Sequence, residues 1–132
     1  LLEVNYAKDA FYLFDYSGYI LVTKGLWVYS GFSSLSIEDT GGARGIAYGN
    51  ETFVLAGTSG NIRTSSDASS DGSNNWTSRT SGTSNDLYAI AYGKSTFVTV
   101  GGSGTILTSS DGTTWTSNNS GTSKDLYGIT YK

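Results

Sequence analysis

A chain of 132 residues without Cys, His, Met or Pro rules out several chemistries before any motif is read. There is no disulfide framework and no thiolate metal site, and the commonest general base and metal ligand is missing. Eight basic and eleven acidic residues, scattered singly to a net charge of −3, leave no basic stripe for nucleic acid, and no apolar run approaches the ~20 residues of a membrane-spanning helix.

The length suits one domain. Eighteen Gly and ten Tyr, with abundant Ser and Thr, favour short strands and tight turns over helices. The chain opens at Leu1-Leu2-Glu3, with neither an initiator Met nor a signal peptide, and reads as a processed or excised segment.

An internal repeat organises the rest. Tyr6, Tyr48, Tyr92 and Tyr131 recur roughly forty residues apart. After each of the first three, at identical offsets, come a Phe (Phe11, Phe53, Phe97), a Ser-Gly pair ending at Gly18, Gly60 and Gly104, and an Ile (Ile20, Ile62, Ile106). Such a register marks the first half of each unit as a rigid block.

In copy one, about Glu3 to Arg44, three strands are expected. Val22–Trp27 then replaces the usual turn, and Ser30–Gly42 reads as a long connection carrying Phe32, Leu35 and Ile37 beside Glu38 and Asp39. Copy two, Gly45 to Tyr88, carries its insertion at Ser65–Asn75.

Copy three, Ala89 to Tyr127, is the cleanest. Period-two alternation predicts strands at Ala89–Tyr92, Thr96–Val100 and Thr105–Ser109, with a fourth around Trp115. Gly101-Gly102-Ser103-Gly104 should supply the positive-φ residues of a hairpin turn. Gly128–Lys132 restarts the pattern as the first strand of a further unit.

The pattern Gly-Ile-Ala-Tyr-Gly, Thr-Phe-Val-x-x-Gly, Ser-Gly-Thr-Ile-Leu-Thr-Ser-Ser-Asp-Gly-x-x-Trp resembles the blade of sialidase-like β-propellers, in particular the group that includes photosystem II assembly factors. Ser69-Ser-Asp71-Gly-Ser73-Asn-Asn-Trp76 is similar to the Asp-box of such blades, and Ser109-Ser-Asp111-Gly-Thr-Thr-Trp115 is one residue shorter. Copy one has Lys24 near the Asp position.

The resemblance implies an all-β fold: three four-stranded antiparallel meanders plus one extra strand. That is a partial propeller, or half of a six-bladed oligomeric ring. It also implies that Asp71 and Asp111 cap their turns by accepting backbone N–H groups, while Trp76 and Trp115 pack between sheets.

Other candidate chemistry has a plainer reading. A sialidase needs clustered arginines and a Tyr nucleophile with an acidic partner, yet Arg44, Arg63 and Arg79 are the only arginines and fall on different parts of the repeat. Asp67–Gly72 lacks the later bidentate Glu of a calcium loop, so no metal site is assigned. Gly101–Gly104 has no Lys-Ser/Thr after it and no helix to open, so it is a turn and not a phosphate cradle.

The connections before the first strands place Asp86 with Tyr88 and Asp125 with Tyr127, each an acid beside an aromatic. These four are the binding candidates for a sugar or a peptide, against the alternative that Leu87/Tyr88 and Leu126/Tyr127 pack between blades.

The expected function is a non-catalytic scaffold for protein or glycan binding, within a larger surface or assembly protein, in an extracellular or cell-surface setting. The alternative is a structural or adhesive repeat segment of a large extracellular or phage protein, and a glycoside hydrolase-like enzyme comes third. No cofactor, nucleic acid or membrane insertion is expected. A second copy or further blades should be needed to close a ring.

Overall fold

In the computed structural model, residues 3–7, 10–14, 19–24 and 35–39 are described as backbone strands, and residues 42–66 and 76–132 in full. Among the described residues, twelve strands form three four-stranded sheets, each an antiparallel meander in chain order. The first holds β1 (Glu3–Ala7), β2 (Ala10–Phe14), β3 (Tyr19–Lys24) and β4 (Leu35–Asp39). The second holds β5 (Ala43–Gly49), β6 (Thr52–Gly57), β7 (Ile62–Ser65) and β8 (Thr77–Arg79). The third holds β9 (Leu87–Gly93), β10 (Thr96–Gly101), β11 (Ile106–Ser109) and β12 (Thr116–Asn118). Among the described residues there is no α-helix.

One expectation needs correction. Leu35–Asp39, read from sequence as part of a connection, is the fourth strand of the first sheet, with Ile37 paired to Leu21. Leu35 and Ile37 alternate with Ser36 and Glu38, the period of a strand with one buried face.

The turns explain why the meander closes so tightly. Asn50–Glu51 joins β5 to β6 with φ of 47° and 57°, and Lys94–Ser95 joins β9 to β10 with 46° and 57°. Two successive positive-φ residues give the primed turn whose twist matches that of the strands it joins. Between the second and third strands lies a short 3-10 turn, Thr58–Gly60 or Gly102–Gly104. In the latter the positive φ values fall on Ser103 (54°) and Gly104 (73°), while Gly101 stays extended.

The core forms between the second and third sheets. Ala47, Val54, Ala56 and Ile62 of one meet Leu87, Ile90, Phe97 and Leu107 of the other, with Tyr92 and Trp115 packed at the edge. Strand β9 packs against β5, and β5 against β1, so the first strands of successive sheets are neighbours. Close approach there depends on glycine: a Cβ on Gly49 would strike the Tyr92 ring.

The same device recurs at the end of the chain, where a Cβ on Gly93 would strike the Tyr131 ring. Gly128–Lys132 thus lies where the first strand of a further sheet belongs, although it joins no ladder. A first strand pairs with the second strand of its own sheet, and no such strand follows within the 132 residues.

Candidate binding rim

Asp86 precedes β9, and Asp125 holds the equivalent place before Gly128–Lys132. Both carboxylates reach back to the preceding sheet. The Ser59 N–H donates to Asp86 Oδ1 at 2.8 Å, and the Ser103 N–H to Asp125 Oδ1 at 2.8 Å. Each donating N–H belongs to the left-handed Ser of a 3-10 turn, which has no strand partner of its own. The backbone adds to the second junction, since the Leu126 N–H donates to Gly101 O at 3.0 Å, while within the third sheet the Gly102 N–H donates to Asp86 O at 2.8 Å.

The remaining carboxylate oxygens face the rim. Asp86 Oδ2 stands 3.4 Å from Arg44 Nη2, with about a third of each side chain exposed (36% and 30%). Asp125 Oδ2 accepts from the Tyr127 hydroxyl at 3.1 Å. That bond, and then the negative charge beside the phenol, push the Tyr127 pKa above its ordinary value of 10.0.

Arg44, Tyr88 and Tyr127 each stand four residues before the repeat tyrosine of their copy, and they stack. The Arg44 guanidinium carbon is 5.2 Å from the Tyr88 ring centroid, and the Tyr88 and Tyr127 rings lie 4.9 Å apart at 31°. The stack ends on Tyr127, which is 70% exposed. Leu87 is fully buried and Tyr88 half-buried, whereas Tyr127 is open to solvent. Tyr88 also lies inside β9, so the first strand starts two residues earlier than the alternation predicts.

The turn before Trp115 is built around Asp111. Its Oδ1 accepts from the N–H groups of Thr113 (2.8 Å) and Thr114 (2.9 Å) and from the Ser109 hydroxyl (3.0 Å). The Thr114 and Thr113 amides, then the Ser109 hydroxyl, lower its pKa below the ordinary 3.8. The Ser109 oxygen in turn accepts from the Gly112 N–H, and the Trp115 indole donates to Gly112 O at 2.9 Å. Gly112, at φ 76°, lies against Val54 and Thr64, so this turn is also a sheet-to-sheet contact.

Asp71, and the whole of Asp67–Asn75, lie outside the described residues. Trp76 is half-buried just before β8. Arg79 closes β8 and donates from Nε to Thr64 Oγ1 at 2.9 Å, so it belongs to its own sheet.

The family model of the DUF6242 beta propeller domain matches residues 26–132. The chain belongs to this β-propeller family. No curated protein and no solved structure matches it.

The three sheets are accordingly propeller blades, and the rim lies where their first strands begin. Sequence reading missed two partners at this rim, Ser59 and Ser103. The identical Ser-Gly offset in each copy is the available signal. Sequence reading also set Arg44 aside, because an arginine does not look equivalent to Tyr88 until the two are found stacked. Among the described residues no three acidic side chains gather as a metal site, and no helix is long and apolar enough to cross a membrane.

Proposed function

We propose that this β-propeller domain is a non-catalytic scaffold that binds a protein or glycan at the rim of Arg44, Asp86, Tyr88, Asp125 and Tyr127. The observation that carries the reading is the stack of Arg44, Tyr88 and Tyr127, from the second blade, the third blade and the segment after it, ending on a Tyr that is 70% exposed. An exposed aromatic face with acceptors at its edge suits the C–H face of a sugar or an apolar peptide side chain. Asp86 and Asp125 are already bonded to backbone N–H groups, which suits fixed acceptors better than acids that shuttle protons.

A likeness to sialidase-like and photosystem II assembly factor-like blades is supported by the Asp111 turn closed by Trp115. It favours placement in a larger surface or assembly protein, outside the cell or at its surface.

Glycan-array binding and affinity capture of partners, each with the parent and Tyr127→Ala, test the proposal. The variant should lose the ligand and keep the parent's fold by circular dichroism, because the ring is 70% exposed. Silence of the parent in both assays would sink it.

A second reading, a structural or adhesive repeat segment, draws support from the latches, since Asp86 and Asp125 each tie one blade to the next. Under that reading rim substitutions would move stability alone.

A further inference from the structure

Copy two carries an arginine where the other copies carry leucine. Arg63 stands fifteen residues after Tyr48, as Leu21 does after Tyr6 and Leu107 after Tyr92. Strand pairing agrees: Arg63 lies opposite Leu55, Leu107 opposite Thr99 and Leu21 opposite Leu13. Leu107 is 2% exposed and belongs to the core. At the equivalent place the second blade therefore sets a permanent charge where the third sets an apolar side chain.

The alternation of β7 decides which way Arg63 faces. Its neighbours Ile62 and Thr64 meet the third blade, Ile62 in the shared core and Thr64 beside Gly112. Arg63 thus lies on the opposite face. It shares that face with Leu55, which is buried, and with Ser78, its partner on β8. With β5 also in contact with β1 and β2, this is the face turned to the first blade.

The side chain is half-buried, yet its Nε is sealed from solvent and, among the described residues, meets no acceptor. The chain's other two arginines differ. Arg79 Nε donates to Thr64 Oγ1 at 2.9 Å, and Arg44 Nη2 stands 3.4 Å from Asp86 Oδ2. Native folds pair buried charged donors with an acceptor, because an isolated one forfeits its hydration.

We propose that Arg63 anchors a binding site for a small carboxylic acid in the seam between the first and second blades. On a guanidinium, Nε–H and the adjacent Nη–H point the same way and match the two oxygens of one carboxylate. Burial of Nε turns this edge inward, so the acid enters carboxylate first. Ser78, exposed on the outermost strand of the same face, marks the solvent side of the seam. The site is built on the third strand and is independent of what the rim of first strands binds.

Heteronuclear NMR of the isotope-labelled chain tests this through the Arg63 Nε–Hε resonance, identified as the arginine signal missing from Arg63→Leu. Sodium acetate and sodium succinate are titrated against sodium chloride at matched ionic strength. The carboxylates should move the resonance downfield along a saturable curve, and chloride should not. Arg63→Leu should fold, as leucine stands there in the other copies, and its melting temperature should not rise with acetate as the parent's does. Arg63→Lys keeps the charge without the side-on donor pair, so it should bind acetate about tenfold more weakly or worse. If Arg63→Leu fails to fold, the parent's melting curve and Arg63→Lys still decide. A parent unmoved by either carboxylate would overturn the proposal, because the chain or its solvent would then already satisfy Nε. An equal response in Arg63→Lys, or one that persists in Arg63→Leu, would overturn it too.

Discussion

Asp86 and Ser59 are joined across two blades by a 2.8 Å hydrogen bond, in which a left-handed serine's N–H donates to the carboxylate. Asp125 and Ser103 repeat the bond at 2.8 Å one blade further on. The latch satisfies a turn N–H that has no strand partner, and it fixes the start of one first strand against the previous blade. Asp86→Ala should lower unfolding free energy by about 1–2 kcal/mol in urea titration, a charged hydrogen bond discounted for partial exposure. Asp86→Asn should lose less, because its amide oxygen still accepts. A midpoint for Asp86→Ala equal to the parent's would refute the latch.

Asp111 predicts the acid limb of the stability curve. Its folded-state pKa lies below 3.8, so its contribution is fully present above that value and is lost as pH falls through the lowered folded-state pKa. Asp111→Asn should flatten this part of the curve and leave its shape near neutrality unchanged. Urea midpoints collected from neutral pH down into the acid range make the comparison, and parallel curves for the two chains would contradict it.

Tyr127 predicts the alkaline side with the opposite sign. Its pKa is raised above 10.0 by the Asp125 bond, so the contribution is present below that pH and disappears as pH rises through the folded-state value. Phenolate absorbance, with Tyr127→Phe subtracted to isolate the group, should show late ionisation. Asp125→Asn should bring it earlier.

Gly49 and Gly93 should respond unequally to the same change. Alanine at Gly49 meets the Tyr92 ring, which is packed against the core, and overpacking of that kind costs about 1–3 kcal/mol. Alanine at Gly93 meets Tyr131, whose ring is 54% exposed and free to move aside. Thermal unfolding of the two variants should show a clearly larger drop for Gly49→Ala.

Ser95 holds φ at 57° in a two-residue turn, where an L side chain is strained. Ser95→Gly should relieve a left-handed penalty of about 1–2 kcal/mol while adding ~0.5–1 kcal/mol of unfolded-chain entropy, for a net gain of up to about 1.5 kcal/mol. A fall in melting temperature would show that the serine has a role beyond the turn.

Much of the architecture was legible in the residues. The Tyr–Phe–Ser-Gly–Ile offsets fixed the strand register of all three copies, because a sheet with two packed faces tolerates no slip. Asp111 and Trp115 announced their turn for a similar reason: the carboxylate and the amides it caps are neighbours in sequence. Where packing neighbours are far apart in the chain, the residues were silent. Leu35–Asp39 does not announce itself as a strand because residues 25–34 separate it from its partner β3.

The rim shows the same division. The sequence by itself determined that Asp86, Tyr88, Asp125 and Tyr127 occupy equivalent places, since equivalence is a matter of spacing along one chain. Only the tertiary structure decided what those places do. Asp86 bonds a serine 27 positions away, and Arg44 lies over an aromatic ring from the next blade. Such partners meet because first strands of successive blades lie side by side, a proximity that spacing along the chain does not encode.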